Sequence, residues 1–247
     1  MQNGNISNLA VVETDQVGSQ CTIAEFAIVR KGSKLGRNVV IHPFVVIESG
    51  VSIADGVEIF PGTHVGKEPK GAGAVAREPV FDREVQIGAN CCLGPNAVIY
   101  SDVQIGESTL IGDGASIREK SRIGSRTIIG RHVTIGYDCR IGSYTKIMEH
   151  SGIAGKSVVG NNVFIANDVQ SANDNLLGSK GWREDKIVGP KIEDGAMIGE
   201  AAVLLPGVVI GKGAIIGSGA LINANVKPDA LMLTMPARAV PRELHQE

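Results

Sequence analysis

The stretch IGRHVTIGYDCRIGSYTK, residues 129–146, repeats every six residues and decides the fold. An isoleucine opens each of its three hexads, and a glycine follows the isoleucine. The same series of Val, Ile or Leu at every sixth position covers residues 11–65, 87–165 and 192–222, which makes ten, fourteen and six hexads, or thirty in all. So regular an aliphatic series predicts one continuous core.

A period of six differs from the 3.6 residues of a helical turn and from simple strand alternation, but it fits short strands joined by corners. Glycine follows the aliphatic residue in fifteen of the thirty hexads, which predicts corners with positive φ. Three hexads would close a triangular coil of eighteen residues. The predicted fold class is therefore all-β, a parallel β-helix of about ten coils that is roughly 48 Å tall.

Two segments break the period, at about residues 67–84 and 168–189. Both are rich in glycine and charge, so we expect them to protrude as loops, and long loops in regular scaffolds are often functional. The chain is thus predicted to form a single domain over residues 1–247. Its coils would span about 9–66, 85–167 and 190–223, and a short C-terminal cap would span 224–247.

Composition excludes several classes of function. The formal net charge is −2 and the basic residues are scattered, so no electrostatic footprint for nucleic acid is expected. No apolar run reaches the roughly 18 residues of a membrane helix, and the N-terminus lacks the features of a secretory signal. We expect a soluble, cytoplasmic protein without nucleic-acid or membrane partners.

The four cysteines are predicted to be reduced core residues or surface residues. Cys21, Cys91 and Cys139 fall two positions before an aliphatic residue, where a second small side chain should point inward, and Cys92 should point outward. Neither a disulfide framework nor a metal site is expected from them.

Counting in steps of eighteen predicts which residues stack. His132, His150 and Asp168 should share one corner, with the second loop emerging directly above them. If the first loop replaces a single corner between Val65 and Ile87, that corner should align with the corners of later coils that hold Arg118–Glu119 and Tyr137. The two loops would then lie on different corners, and a groove between neighbouring copies would have the ANDN segment (residues 172–175) on the histidine side.

Over almost its whole length the chain resembles the hexapeptide-repeat transferase family. The resemblance implies a left-handed parallel β-helix, a homotrimer, and acyl-CoA as a co-substrate bound between neighbouring copies. The stretches KGAGAVAR, DGASIRE, TIIGRHVTIGYD, VFIANDV and ANDN are similar to those of bacterial N-acyltransferases that modify nucleotide-linked amino sugars for surface polysaccharides. This finer resemblance implies N-acyl transfer, with acetyl as the expected group, to the amine of such a sugar.

Site residues follow from the resemblance and from the corner geometry. The sugar nucleotide is expected to contact a set of six residues: Arg118, Glu119, Tyr137, Asn173, Asp174 and Asn175. The catalytic candidates are His150 as the proton acceptor, Glu149 as a carboxylate that orients it or holds the amine, and His132 beside it. Several members of the subfamily are considered to work without a side-chain base, so proton transfer through other groups is an alternative.

The acyl donor is assigned to the last coils. Glycine and alanine there would let a slim pantetheine arm approach the backbone, and basic side chains would meet the CoA phosphates. The donor-binding candidates are Gly199, Ala201, Lys212, Gly217, Lys227 and Arg238. Met235–Arg238 also resembles the chain ending of these transferases, where it caps the column. No metal and no permanently bound cofactor is expected.

Three alternatives stay open. The acceptor of a CoA-dependent transferase can be another small amine or a hydroxyl. A γ-class carbonic anhydrase needs three zinc-binding histidines, and His42, His64, His132, His150 and His245 lack the short spacing expected of such a set. A non-catalytic β-helix subunit would share the repeat but bind no acyl-CoA.

Overall fold

The computed structural model describes residues 4–74 and 77–235, and it shows a three-sided column of parallel strands. We call the three sheets the first, second and third face, in the order in which the chain visits them. Corner 1 joins the first face to the second, corner 2 the second to the third, and corner 3 the third back to the first. The predicted parallel β-helix is confirmed.

The first face has twelve strands: Asn5–Ile6, Thr22–Ile23, Val40–Ile41, Glu58–Ile59, Cys92–Leu93, Leu110–Ile111, Ile128–Ile129, Lys146–Ile147, Phe164–Ile165, Met197–Ile198, Ile215–Ile216 and Leu231–Met232. The second face has eleven: Val11–Val12, Ile28–Val29, Val46–Ile47, His64–Lys67, Val98–Tyr100, Ser116–Ile117, Thr134–Ile135, Gly152–Ile153, Gln170–Ser171, Val203–Leu204 and Leu221–Ile222.

The third face has nine strands: Lys34–Leu35, Val51–Ile53, Val85–Ile87, Val103–Ile105, Arg122–Ile123, Arg140–Ile141, Val158–Val159, Lys191–Ile192 and Val209–Ile210. One short 3-10 helix, Glu184–Lys186, lies in the second loop. The estimate of about ten coils was therefore low for the two longer faces. Strands Asn5–Ile6 and Leu231–Met232 of the first face and Gln170–Ser171 of the second face lie outside the counted hexads.

Residues eighteen apart are vertical neighbours, as predicted. Ile117 pairs with Ile135, and Ile135 pairs with Ile153, in consecutive strands of the second face. All three side chains are buried in the column interior. The backbone continues the ladder past the strand end, because the amide of Arg118 donates to the carbonyl of Ile135 over 2.9 Å. Apolar burial and coil-to-coil hydrogen bonds thus stabilise the same register.

A second side chain of the hexad, two residues before the aliphatic one, also points inward. These side chains are small, and their polar atoms form hydrogen bonds. The hydroxyl of Thr127 donates to the carbonyl of Gly142 over 2.9 Å, and the hydroxyl of Ser121 donates to that of Gly136 over 2.9 Å. Three of the four cysteines are buried as predicted, and Cys92 is partly exposed. Burial raises the pKa of the Cys139 thiol to about 12, which keeps it protonated and unreactive.

Of the fifteen glycines that follow an aliphatic residue, Gly66 has the predicted positive φ, 91°, and the other fourteen do not. At the corner that begins with Gly136, positive φ belongs to Asp138 (54°), two residues later, and not to the glycine. A Cβ on Gly136 would lie 2.4 Å from the backbone nitrogen of Gly155 in the next coil. The glycine is therefore required by the close approach of two backbones, and asparagine, aspartate or histidine commonly adopts the left-handed conformation.

Counting misplaced one hexad and missed another. Val12, and not Val11, pairs with Val29 in the column, and the Val11 side chain is exposed, because the first coil is one residue short. Ser171 occupies an aliphatic place opposite Leu204. Its hydroxyl donates to the Gly152 carbonyl over 3.1 Å and accepts from the Ala154 amide over 2.8 Å, so a polar residue is accommodated there.

Ser171 also changes where the second loop begins. The first loop connects the strand His64–Lys67 to Val85–Ile87, and the second connects Gln170–Ser171 to Lys191–Ile192. Both connections run from the second face to the third. The prediction of two different corners was wrong, because the hexad ending at Ser171 lacks an aliphatic residue, and both loops leave from corner 2.

No helix in the two described ranges is long and apolar enough to cross a lipid bilayer.

Replacement of a stacked core residue tests the column. Ile135→Ala removes a side chain that is 1% exposed and leaves a cavity between two coils, so we expect a loss of about 2–5 kcal/mol in the free energy of unfolding. Denaturant unfolding measures it. Thr134→Ala, on the exposed side of the same strand, should change stability by less than about 0.5 kcal/mol. Equal effects of the two variants would contradict the assigned register.

Candidate functional site

Corner 1 carries the predicted histidine stack. The rings of His132 and His150 lie face to face with centroids 5.3 Å apart and an interplanar angle of 13°. Asp168 follows on the same ladder, with its amide donating to the Glu149 carbonyl over 3.0 Å. The three residues have φ of 56°, 60° and 58°, so each projects from the same point of its coil. Counting in eighteens was correct for this corner, and both imidazoles are exposed.

Glu149 has a different partner from the one expected. Its carboxylate accepts a hydrogen bond from the Arg131 guanidinium over 3.0 Å. Its own backbone N–H and Arg131 lower the pKa of the Glu149 carboxyl, so it is ionised at neutral pH. The carboxylate thus points along the edge of the column toward Arg131. The opposite charges of Glu149 and Arg131 partly neutralise each other at this corner.

Corner 2 brings together most of the predicted sugar contacts. Glu119, Tyr137, Gly155 and Asn173 occupy equivalent places in successive coils. The side chain of Glu119 is completely buried, and Arg118 donates to its carboxylate over 3.1 Å. A buried carboxylate requires such compensation, because an unpaired charge in that position is strongly destabilising.

The second partner of Glu119 comes from the first loop. Arg77 forms an ion pair with the Glu119 carboxylate, and its guanidinium lies 4.0 Å from the centroid of the Tyr137 ring. Cation–π contact and charge pairing therefore hold the loop against the corner. The sequence analysis did not identify Arg77 as a site residue, although the residue lies in the quoted stretch KGAGAVAR, because its partner is 42 residues away.

Tyr137 lies beneath this loop. A Cβ on Gly155 would be 2.6 Å from its ring, so only glycine in the next coil leaves room for the aromatic side chain. The Tyr137 hydroxyl is buried, and it has no hydrogen-bond partner among residues 4–74 and 77–235. Burial, together with the nearby Glu184 carboxylate, raises the pKa of Tyr137 to about 12. The side chain is therefore a neutral donor at physiological pH.

The second loop starts at the same corner, so the ANDN segment lies with Arg118 and Tyr137, and not with the histidines as predicted. Asn173 donates to the Gly155 carbonyl over 3.0 Å. Asp174 accepts from the amides of Leu176 and Gly178 over 2.7 and 2.9 Å, which makes it the cap of a turn in this loop. Asn175 is exposed.

The two loops and the corner enclose a space of about 220 Å³, which we call the upper cavity. Its walls include Tyr137 and Trp182, and the cations Lys70, Arg77 and Arg118. The Trp182 indole N–H donates to Glu184 over 3.1 Å, and Glu184 forms an ion pair with Lys156 of the same corner. Sequence analysis did not find Trp182 or Lys70, because neither falls in a periodic segment. Aromatic walls with several cations suit a flat, anionic ligand.

The predicted donor contacts divide between two corners. Gly199, Ala201 and Gly217 lie on corner 1, in the coils that follow Asp168. Lys212 and Lys227 lie on corner 3, where the amide of Asp229 donates to the Lys212 carbonyl over 2.9 Å. Arg238 lies outside the described residues, as does the segment 236–238 of the predicted cap. The small residues therefore continue the histidine corner, whereas the lysines do not.

One chain consequently presents two separate groups of candidate residues. Corner 1 has His132, His150 and the small residues beyond them. Corner 2 has the buried carboxylate, the aromatic residues and both loops. The second face separates the two corners, so a single copy does not bring both groups to one point.

Two known families match parts of the chain. Residues 75–188 match the family described as the GMPPB C-terminal domain. Residues 32–67 and 189–224 match the bacterial transferase hexapeptide family, described as six repeats. The bifunctional protein GlmU from Pelotomaculum thermopropionicum is 39% identical over 69 residues, which cover 28% of this chain and 15% of that relative. The similarity thus spans a small part of the curated relative's length.

Solved structures share the fold at low identity. UDP-N-acetylglucosamine acyltransferase from Campylobacter jejuni aligns with a TM-score of 0.56 and 20% identity, covering 92% of this chain and 70% of that one. UDP-N-acetylglucosamine O-acyltransferase (LpxA) from Moraxella catarrhalis aligns with a TM-score of 0.51 and 19% identity, covering 82% and 68%. These likenesses support the β-helix fold.

Absorbance titration tests the environment of Tyr137. The pKa of Tyr137 is raised from 10.0 to about 12, so the folded protein holds this proton more tightly than the unfolded chain does. The resulting stability is complete below pH 10 and is lost as the pH rises toward 12. The difference in tyrosinate absorbance at about 295 nm between the wild type and Tyr137→Phe should therefore develop only near pH 12. A difference that develops near pH 10 would show that the hydroxyl is in contact with solvent.

Proposed function

As the chain is a hexapeptide-repeat β-helix protein, we propose that it is a CoA-dependent N-acyltransferase whose acceptor is a nucleotide-linked amino sugar. The observation that carries the proposal is the upper cavity, where both loops meet a buried Glu119 and three cations beside two aromatic rings. Such a cavity fits the base and phosphates of a nucleotide. Two proteins that share the fold are described as UDP-N-acetylglucosamine acyltransferases, which supports a nucleotide-linked sugar as the acceptor.

On the acceptor side, corner 2 is preorganised by its ion pairs. Arg77 and Arg118 are oriented by the buried Glu119 carboxylate, so their remaining N–H groups point outward without a further entropy cost. Trp182, which is 37% exposed, provides a surface for stacking. Asn173 and Asp174 stabilise the start of the second loop through hydrogen bonds to the backbone, and Asn175 is exposed.

On the donor side, corner 1 offers imidazoles beside a narrow edge. His150 and His132 lie on the same ladder as Ala201, and Gly199 and Gly217 flank that ladder. A Cβ on Gly199 would be 2.5 Å from the backbone nitrogen of Ser218, so this edge is as slim as two backbones allow. A pantetheine arm along this edge would bring its thioester to the histidines. Lys212, Lys227 and Arg238 are the candidates for the CoA phosphates, and the two lysines would have to meet them from corner 3, across the first face.

The two sides would meet between copies of the chain. A homotrimer, which the resemblance implies, would place corner 1 of one copy against corner 2 of the next. Large apolar side chains on the outer side of the first face support such an assembly, since Leu110, Phe164, Met197 and Ile215 are 42%, 41%, 51% and 43% exposed. Each site would then need residues of two copies.

The reaction requires little from the protein beyond alignment. The acceptor ammonium loses a proton, its nitrogen attacks the thioester carbonyl carbon, the C–S bond breaks, and CoA leaves as the thiol with net release of one proton. Exposed His150 is the candidate that accepts the proton. Transfer from CoA thioesters to sugar nucleotides would take place in the cytoplasm.

A substrate screen tests the function. Nucleotide-linked amino sugars are incubated with acetyl-CoA and longer acyl-CoA thioesters, and the free thiol of CoA is measured. Release of thiol that depends on one of these sugars is expected. If only simple amines or hydroxyl compounds, such as serine, are acylated, the acceptor is wrong. If no acyl-CoA is bound or consumed, the chain is a non-catalytic subunit.

Substitution of His150 tests the proton acceptor. His150→Asn keeps a residue that tolerates positive φ, so the column and the oligomer should persist while kcat falls at least about tenfold, which is typical of lost general-base catalysis. Asn162→Ala, at a positive-φ position of a different corner, should leave kcat unchanged. Wild-type turnover in His150→Asn would remove the histidine from the mechanism without removing the transferase.

A further inference from the structure

The two aromatic rings in the wall of the upper cavity differ in how open they are to a ligand. Tyr137 is 9% exposed. The Arg77 guanidinium lies 4.0 Å from the centroid of its ring, and Gly155 of the next coil lies against the same ring. Trp182 also lines the cavity and is 37% exposed. A planar group that enters the cavity can therefore stack on the Trp182 indole.

Trp182 lies in the second loop and outside every strand, so its position depends on side-chain contacts. The loop returns to its starting point at Val188, whose amide donates to the Asn173 carbonyl over 2.9 Å. Among the described residues, the hydrogen bonds and ion pairs that join the segment 176–187 to a coil all come from the side chain of Lys156. One lysine of corner 2 thus holds this segment against the column.

Lys156 reaches the indole through Glu184. Its ammonium group forms an ion pair with the Glu184 carboxylate and donates to the Glu184 carbonyl over 3.2 Å. The Oε2 atom of the same carboxylate accepts from the Trp182 indole N–H over 3.1 Å. Lys156 lowers the pKa of the Glu184 carboxyl, with further contributions from the indole N–H and from Arg77. The indole N–H, which can only donate, therefore has an ionised acceptor at neutral pH.

We propose that Lys156, acting through Glu184, fixes the Trp182 indole at the wall of the upper cavity, and that the base of the bound nucleotide stacks on this indole. Lys156 and Glu184 are then positioning residues, and Trp182 is the residue that touches the ligand. The inference rests on the proposed function, in which the nucleotide of the acceptor occupies this cavity. It adds the residue that contacts the base and the two residues that hold it.

The cavity lies at the height of the histidine corner. Lys156 follows His150 by six residues in the same coil, and Tyr137 follows His132 by five residues in the coil before. In a homotrimer with parallel columns, residues of one coil lie at one height in all copies. A base stacked on Trp182 of one copy would therefore lie level with the histidines of the next copy, as the proposed function requires.

The chain contains two matched controls. Lys120 lies two coils before Lys156 at the same place of corner 2, with φ of 64° against 65°. Within the described residues, the salt bridges of the second loop involve Lys156, Arg183 and Lys186, and not Lys120. Lys120→Met thus removes the same charge from the same corner without releasing the loop. Asp185→Asn removes the pair with Arg183, which lies within the loop.

Fluorescence of the intact protein tests the positioning, because Trp182 is the only tryptophan of the chain. Lys156→Met and Glu184→Gln should shift its emission to longer wavelength and make it more accessible to acrylamide. Lys156→Arg, Lys120→Met and Asp185→Asn should keep the wild-type emission. The denaturant midpoint should stay the same in every variant, because charges at the surface contribute little to global stability.

Calorimetric titration tests the stacking. UDP, dTDP, GDP and CDP are titrated to find a nucleotide that binds, together with inorganic pyrophosphate, which has no base, and coenzyme A. Lys156→Met, Glu184→Gln and Trp182→Ala should weaken binding of the nucleoside diphosphate about tenfold, the size of one lost base–aromatic stack. The same variants should leave binding of pyrophosphate and coenzyme A within about twofold, and Lys156→Arg and Lys120→Met should bind every ligand as the wild type does.

The remaining outcomes separate the inference from the proposed function. Lys156→Met and Glu184→Gln change the charge near the cavity in opposite directions. If the first weakens and the second strengthens binding of both diphosphates, Lys156 acts only as a charge, so the positioning role is wrong and the proposed function survives. The same holds if neither variant differs from Lys120→Met.

Two further results would contradict both levels. If coenzyme A is the ligand that loses affinity in Lys156→Met, corner 2 binds the donor, and the proposed assignment of the corners is wrong together with the inference. If no nucleoside diphosphate binds, the proposed acceptor and the stacking on Trp182 are both wrong.

Discussion

Every other feature of the molecule depends on the burial of one aliphatic side chain every six residues. Three such residues close a coil, and coil-to-coil hydrogen bonds such as that from the Arg118 amide to the Ile135 carbonyl then fix the vertical register. Residues eighteen apart in an unbroken part of the chain therefore become neighbours on an edge. Short polar corners, which could not form a site alone, are assembled into ladders of functional groups by the core that they enclose.

The sequence was sufficient for the parts of the molecule that are periodic. Aliphatic spacing predicted the column, and counting in eighteens predicted that His132 and His150 stack and that Glu119 and Tyr137 share an edge. The prediction failed where a residue differs from the type expected at its position in the repeat. Ser171 replaces an aliphatic residue because Gly152 and Ala154 satisfy its hydroxyl, so the last strand before the second loop went unnoticed. Because of that one residue, the second loop was predicted on the wrong corner.

Loops cannot be predicted in this way, because their path depends on contacts between residues that share no period. Arg77 reaches Glu119 across 42 residues, and Lys156 reaches Glu184 across 28. The glycines illustrate a second limit. Their pattern was visible in the sequence, but positive φ and close backbone approach both favour glycine, and the sequence does not distinguish the two causes.

The resulting edges have different chemical characters. Corner 2 buries a carboxylate, surrounds it with guanidinium groups and covers them with two loops, so its geometry is set before a ligand arrives. Corner 1 leaves its imidazoles exposed, and Gly199, Ala201 and Gly217 make the same corner narrow in the later coils. In the proposed function the acceptor binds at corner 2 and the donor at corner 1, and two copies of the chain bring them together.

Subunit mixing tests that requirement most directly. Oligomers of Arg118→Ala and of His150→Asn are each expected to be impaired, since one lacks an acceptor contact and the other the proton acceptor. When the two chains are dissociated and reassembled together, about a quarter of the sites should combine an intact corner 2 with an intact corner 1 from the neighbouring copy. Acyl transfer should then rise well above that of either variant alone. A mixture no more active than the average of its two components would contradict a site shared between copies.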